Sequence, residues 1–372
     1  MEIRGIWLTN VDSQVLSSRD RIAEAMEFLA KTGFNVVFPV VWNKGVTLYP
    51  SQVMQDYFDI AIDPIYGDRD PLAELIAEAH RVGLQVMPWF EYGFAASYQQ
   101  NGGRILAQRP LWSGMDVNGK LLTKNGFVWM NALEPEVQDF LLSLVLEVVK
   151  NYDIDGIQGD DRMPAFPVEG GYDPKTSQRY RLQTNQLPPI NCREPRWVEW
   201  RANILTNFLV RLYREVKAIK SELIISMAPG PYKWGLDEYL QDSKSWVNLK
   251  IVDWLHPQLY RRQFWRYKLG LDQMMQEQFN SQTLSMLVPG VLIKSGSYQI
   301  RTEDLLRVID YHRFWGIRGE VLFFYEGLRM NNDALAKALR EGPYSVPAPQ
   351  GWQPPPQNWS LIFMQDWLQN LW

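Results

Sequence analysis

Apolar positions along the chain switch repeatedly between two rhythms: short continuous runs, and longer stretches in which they recur every three to four residues. Ile3–Leu8 is the first strand-like run, and Arg19–Lys31 follows with Ile22, Ala25, Met26 and Leu29 on one helical face, ending at Thr32-Gly33. Phe34–Val41 is β-branched and aromatic throughout, as expected of a strand buried on both faces. The spacing predicts a helix over Asp70–Arg81, with Asp70 as N-cap and Pro71 at its first position. Leu84–Phe90 is the third strand, Pro135–Lys150 a helix, Ile154–Gln158 the fourth strand and Val198–Lys220 a long amphipathic helix. The rhythm continues with strands at Leu223–Met227, Ile251–Leu255, within Leu284–Ile293 and at Glu320–Tyr325. Helices at Leu236–Trp246, Phe264–Phe279, Thr302–Trp315 and Asn331–Arg340 interleave with them.

Eight strands alternating with eight helices predict an α/β protein with a parallel sheet, a (β/α)8 TIM barrel enlarged by insertions. A doubly wound sheet is the alternative, but the turn after the first strand, Thr9-Asn10-Val11-Asp12, lacks the Gly-rich phosphate loop usual there. Long loops follow strands 3 and 4. Tyr92–Met130 carries three Asn-Gly turn signals, and Met163–Arg196 is rich in Pro, Gly, Gln and Arg. In a barrel, loops at the C-terminal ends of strands build the site. Residues 1–341 thus read as the barrel. Residues 342–372 read as a Pro-rich surface linker followed by an amphipathic helix over Leu361–Trp372.

Composition narrows the function classes. With 46% hydrophobic residues and a net charge of −4, the chain has ample material for a core and no broad basic surface for nucleic acid. One Cys and three scattered His give neither a disulfide nor a zinc constellation. No apolar run is long enough for a membrane helix. The opening residues enter a strand pattern with no signal-peptide region, so a cytoplasmic protein is expected as given, or an envelope protein if a leader is removed. The 16 Trp, 17 Tyr and 16 Phe suit a surface that stacks on sugar rings or bases, besides a core.

The candidate chemistry sits at strand ends. Asp160 and Asp161 close the fourth strand, where like charge raises one pKa and makes a proton donor near neutrality. A helix cap, or an ion pair to Arg162, is the structural alternative. Glu91 after Trp89-Phe90, and Glu326 after Phe323-Phe324-Tyr325, are candidate second carboxylates. Trp42, Trp89 and Tyr92 are candidate sugar platforms, and Asn43, Lys44, Gln258, Tyr260 and Tyr325 candidate polar or substrate contacts. His256 reads as a core histidine, with a catalytic role as the alternative. Gly114–Lys120 has the spacing of a phosphate loop, but Leu121 stands where a magnesium-binding hydroxyl belongs, so Asp116–Lys120 is expected to be a hairpin turn.

Arg4-Gly5-Ile6-Trp7-Leu8-Thr9, Gly33–Phe38, Tyr152–Asp161, Pro257-Gln258-Leu259-Tyr260 and Phe323-Phe324-Tyr325 together resemble the glycosyl hydrolase-like 10 family, in order, over residues 2 to about 340. The resemblance implies a (β/α)8 barrel and glycoside hydrolysis. Relatives act on bacterial glycans of N-acetylglucosamine or glucosamine, including peptide-free peptidoglycan strands and poly-N-acetylglucosamine. It further implies that Asp160 and Asp161 divide the work, one positioning a substrate acetamide and the other protonating the leaving oxygen. Many members show Asn-Pro-Tyr-Arg after the third-strand Trp, where this chain has Phe90-Glu91-Tyr92-Gly93. No metal or organic cofactor is implied, and the partner is a carbohydrate. Two other classes compete. A barrel that binds glycans without cleaving them would keep the aromatic platforms. A third reading uses Asp160, Asp161 and Glu91 to hold magnesium or calcium for phosphoester or amide chemistry.

Overall fold

The computed structural model describes residues 2–348. Its barrel strands are β1 (Ile3–Leu8), β2 (Val36–Pro39), β3 (Gln85–Val86), β4 (Gly156–Gly159), β5 (Ile224–Met227), β6 (Trp254–Leu255), β7 (Gly290–Leu292) and β8 (Gly319–Phe323). All pairings among them are parallel. One sheet runs β7-β8-β1-β2-β3 and a second β6-β5-β4. Parallel bridges Trp89–Gln158 and Leu255–Leu287 join the two sheets on both sides, so the ring closes. The expected (β/α)8 barrel is therefore the fold, and its strands are buried on both faces because helices cover the outside.

The covering helices are α1 (Arg19–Thr32), α2 (Pro71–Arg81), α3 (Pro135–Asn151), α4 (Pro195–Ile219), α5 (Ser243–Asn248), α6 (Phe264–Gln278), α7 (Thr302–Phe314) and α8 (Glu326–Glu341). Asp70 caps α2 as expected, accepting from the Ala73 amide at 3.0 Å. Two expected helices differ. The stretch over 236–246 is broken: Tyr232–Tyr239 ends where Leu240 turns left-handed, and Asp242 caps a new start at α5. In α8 the backbone from Met330 to Asp333 is non-helical, so the helix regains its course only after the expected start at Asn331.

Aromatic side chains plug the barrel. Trp7 (β1) packs on Phe38 (β2) at 5.9 Å, on Trp89 at 6.4 Å and on His256 at 6.3 Å, while Phe323 (β8) meets both tryptophans. Much of the aromatic content read as sugar-binding is thus core. The Trp7 indole donates to Gln158 Oε1 at 2.5 Å, tying this plug to β4.

The insertion after β3 folds as an antiparallel sheet of Ala95–Tyr98, Thr123–Lys124 and Phe127–Trp129, with the Asn125-Gly126 turn at positive φ as expected of its sequence. Asp116–Lys120 is the expected turn, the Asp116 amide donating to the Lys120 carbonyl. The insertion after β4 carries the helix Pro174–Thr184 and is held by Arg201 of α4. That buried guanidinium donates to the carbonyls of Val168, Gly170 and Cys192 and lies 4.4 Å above the Trp197 ring.

At the opposite end, Tyr344 of the segment after α8 packs inward while Gly342, Ser345, Val346 and Pro347 are exposed. Tyr344 is buried, and its hydroxyl donates to Glu320 Oε1 at 2.6 Å. The remainder of the expected linker and the helix over Leu361–Trp372 lie outside the described residues. No described helix is long and apolar enough to cross a membrane.

Candidate active site

Three carboxyl groups meet at the C-terminal ends of β3 and β4, around one guanidinium. Arg162 Nη2 lies 3.1 Å from Asp160 Oδ2 and 3.5 Å from Glu91 Oε1, and its Nη1 lies 3.0 Å from Asp161 Oδ1. Arg162 Nε donates to the Glu91 carbonyl at 2.9 Å, which fixes the plane of the fork. The ion pair to Arg162 therefore exists, within the candidate site rather than in place of it. It also fills the space between the acids, where the third reading placed a divalent cation.

The backbone explains why the chain turns here. After β4 it folds back on itself, the Met163 amide donating to the Asp160 carbonyl at 3.0 Å. The loop presses on Gly93, whose φ is +47°, and a Cβ there would stand 2.2 Å from the Arg162 carbonyl oxygen. Only glycine accommodates both the left-handed backbone and the approach. A Gly93→Ala variant is expected to be destabilised by the cost of a strained backbone position (about 1 to 3 kcal/mol) together with that of the clash with the Arg162 carbonyl. A wild-type midpoint in chemical denaturation would show that the two loops part without cost.

Each acid has a different setting. Asp160 is almost wholly buried, with 2% of its side chain exposed. Its Oδ1 accepts from Gln258 Nε2 at 2.6 Å and from the Asp161 amide at 2.7 Å. Burial raises its pKa well above the usual carboxylate range, the Asp161 charge adds to this, and Arg162 opposes it. Glu91, 15% exposed, accepts from Asn43 Nδ2 at 2.6 Å. Burial pushes its pKa up to about 7 against the pull of Arg162. Asp161 is the most open of the three, at 31%.

The other expected site residues divide. Gln258 and Tyr260 are at the site. Gln258 holds Asp160, and Tyr260 stacks on Phe323 at 5.2 Å with its hydroxyl pKa raised by burial and by Asp160. Asn43 is there too, but fully buried, spending its amide on Glu91 and on Asn10 Oδ1. Its Nδ2 orients a carboxyl group, while its buried Oδ1 has no hydrogen-bond partner. Trp42 is not a sugar platform: it is fully buried, its indole donates to the Gly93 carbonyl and its ring packs on Phe140 of α3. Trp89 belongs to the barrel plug, and Tyr92 is buried against Phe127. Tyr325 is buried edge-on to Phe28 of α1, outside the barrel. Glu326 accepts from Ser13 Oγ at 2.7 Å and shares no contact with the Arg162 cluster, so Glu91 is the second carboxylate that the fold brings to the Asp pair. Lys44 is exposed and its charge acts on Glu91 from a distance. His256 is core: Nδ1 bonds the Val288 carbonyl at 2.8 Å, and burial lowers its pKa to about 4.

One supporting residue had no sequence signal. Gln241, fully buried, donates to the carbonyls of Asp160 and Pro164 and accepts from the Gly230 amide. It sits in the stretch expected to be continuous helix, and the break there is what turns it inward.

The chain is thus a (β/α)8 barrel with an aromatic plug and carboxyl groups clustered at the C-terminal mouth, the face where barrel enzymes place their sites. The family model "Glycosyl hydrolase-like 10" matches residues 2–305, and the chain belongs to that family. Similar proteins include Glycosyl hydrolase DigH of Escherichia coli (strain K12), 24% identical over 299 aligned residues covering 69% of this chain and 65% of that protein. Glycosyl hydrolase YngK of Bacillus subtilis (strain 168) is 22% identical over 288, covering 70% and 54%. The chain thus spans less than two thirds of the length of these relatives. Among solved structures, the PgaB (BpsB) glycoside hydrolase domain from Bordetella bronchiseptica aligns with a TM-score of 0.68 at 12% identity, covering 91% of this chain and 99% of that one. Alpha-L-fucosidase isoenzyme 2 from Paenibacillus thiaminolyticus aligns at 0.61 with 18% identity, covering 93% and 49%. At such identities these likenesses speak for the fold alone.

Proposed function

We propose that the chain hydrolyses O-glycosidic bonds in a poly- or oligosaccharide of N-acetylglucosamine or glucosamine. The observation that carries this reading is the pairing of Glu91 with Asp161 through Arg162 at the barrel mouth. Glu91 and Asp160 share one guanidinium nitrogen at 3.5 and 3.1 Å. Asp161 sits on the other terminal nitrogen at 3.0 Å, so one guanidinium gathers the pair of carboxyl groups that acid-assisted cleavage of a glycosidic bond requires.

Glu91, with its pKa near 7, is the proton donor. It protonates the departing glycosidic oxygen as the anomeric carbon–oxygen bond breaks. Asp161, the most open acid, faces the sugar, and either stabilises the positive charge at the anomeric carbon or orients an acetamide whose oxygen attacks that carbon. Water then adds there and returns a proton to Glu91. Asp160, closed in by three donors, holds Arg162 and the turn rather than touching substrate. The test is mass spectrometry of N-acetylglucosamine, glucosamine and peptide-free peptidoglycan oligomers after incubation with the protein. Shorter products are expected. Bound but unchanged oligomers would favour the non-cleaving glycan-binding barrel, which a fully ion-paired acid cluster would also suit.

The proton donor sets a pH dependence. Glu91 must be protonated to act, so kcat/KM is expected to fall as pH rises through about 7. In a Glu91→Gln variant that limb should vanish together with most of the turnover. A wild-type profile flat from pH 6 to about 9 would remove Glu91 from this role.

A further inference from the structure

With Trp42, Trp89, Tyr92 and Tyr325 buried, the aromatic surface that remains available to a sugar must come from elsewhere. Large aromatic side chains exposed among the described residues include Tyr98, Trp234, Trp265 and Phe314. Tyr98 and Trp234 each reach the acids through two intervening residues, Phe127 and Arg162 for Tyr98 and Gly230 and Gln241 for Trp234, and Trp234 offers the larger ring. It stands in the first turn of the helix Tyr232–Tyr239, which begins just beyond the C-terminal end of β5. That end of β5 neighbours β4 and its Asp pair.

Two sets of contacts fix the position of the ring. One face lies against Gly230, where a Cβ would approach Trp234 Cε3 and Cζ3 to 2.7 Å. Gly230 in turn donates its amide to Gln241, which donates to the Asp160 carbonyl. The ring also packs on Tyr239 at 5.4 Å. Tyr239 is itself held by Asn125 at 2.7 Å and by Trp129 at 5.8 Å, and the Asp161 charge acts on its hydroxyl. The indole is thus backed by glycine backbone, buttressed by a tyrosine and still 50% exposed. A half-exposed Trp in a rigid setting leaves an apolar, electron-rich face in water. The C–H face of a pyranose ring, slightly positive and flat, is a partner that covers it and leaves the sugar hydroxyls wet.

We infer that Trp234 is a stacking platform for a pyranose ring of the glycan, away from the scissile bond on the β5 side of the mouth. The inference rests on the glycan reading above and adds to it a preference for longer chains. The far end of a long oligosaccharide reaches the indole, whereas a disaccharide bound at the acids does not fill that place.

The test measures binding and cleavage separately. In a cleavage-silenced Asp161→Asn background, adding Trp234→Ala is expected to weaken chitohexaose binding by about tenfold, an aromatic contact's worth. The loss for chitobiose should be several times smaller, and Trp234→Phe should recover most of the hexamer affinity. In the otherwise intact chain, the Trp234 indole N–H resonance, assigned by its loss in Trp234→Phe, should shift with chitohexaose and much less with chitobiose. Equal losses for both sugars, or an indole resonance unmoved while the hexamer binds, would overturn the platform. So would failure of the wild-type chain to bind chitohexaose at all. Hexamer bound with Trp234 perturbed but never cleaved would instead sink the hydrolase reading and leave the platform standing. Cleavage with Trp234 undisturbed would do the reverse.

Discussion

Asp161→Asn is expected to lower kcat/KM by roughly 10²- to 10⁴-fold, the usual worth of a positioned acid–base or charge-stabilising group, and to leave the fold intact. Asp161 is the most open of the three acids, and its carboxyl is paired with Arg162, which keeps Asp160 and Glu91 as partners when that charge is removed. An asparagine of the same shape fits without rearrangement. Asp160→Asn should behave differently. Its two oxygens accept from Gln258, from the Asp161 amide and from Arg162, so every orientation of an amide turns an N–H toward a donor. That variant is expected to lose stability as well as turnover, because a buried donor facing a donor loses its hydrogen bond (~1 to 3 kcal/mol). Steady-state kinetics on the cleaved oligomer, beside chemical denaturation, separates the two. Full activity in Asp161→Asn would remove it from the chemistry. Equal destabilisation in both variants would mean that the acids differ less in setting than their exposures indicate.

This asymmetry was not legible in the sequence, although the pair was. The barrel could be read from the alternation of runs and helical faces, and the site's location from two carboxylates closing the fourth strand. Glu91 was legible as a residue type at a strand end, but so was Glu326, and only the fold separates them. Glu326 begins α8 and bonds Ser13, whereas Glu91 turns inward to Asn43 and Arg162. Tryptophan at a strand end misled for a physical reason. A large amphipathic ring serves equally as plug or platform, and which it becomes depends on whether neighbouring strands and helices aim their side chains at it. Trp42 meets Phe140 from α3, a contact between residues distant in sequence. Gln241 left no trace because it depends on the break at Leu240, where hydrophobic spacing alone reads as helix, and Trp234 precedes the helix expected from Leu236.

Arg162→Met is expected to destabilise the protein by about 3 to 5 kcal/mol, the cost of leaving buried charges without their partner. The apolar stem of methionine keeps much of the packing over Phe127, whose ring lies 4.7 Å from the guanidinium carbon, so the loss reports on charge. Three carboxyl groups then face one another with no cation between them. Each must take up a proton or repel its neighbours, and the raised pKa values of Asp160 and Glu91 move further upward. The sign of the pH dependence follows. Groups whose folded pKa is raised bind protons more readily in the folded state, so the folded variant gains relative to the unfolded chain as pH falls. The deficit against wild type should therefore be largest near pH 8 and shrink towards pH 5, where the acids are increasingly neutral. Urea denaturation of both proteins across that range measures it. A deficit independent of pH would mean that Arg162 stabilises through its hydrogen bond to the Glu91 carbonyl and its packing, with the acids indifferent to its charge. If turnover is also lost at every pH, the guanidinium does more than neutralise. By bonding the Glu91 carbonyl and pairing with both aspartates, it sets the spacing between Glu91 beyond β3 and Asp161 beyond β4.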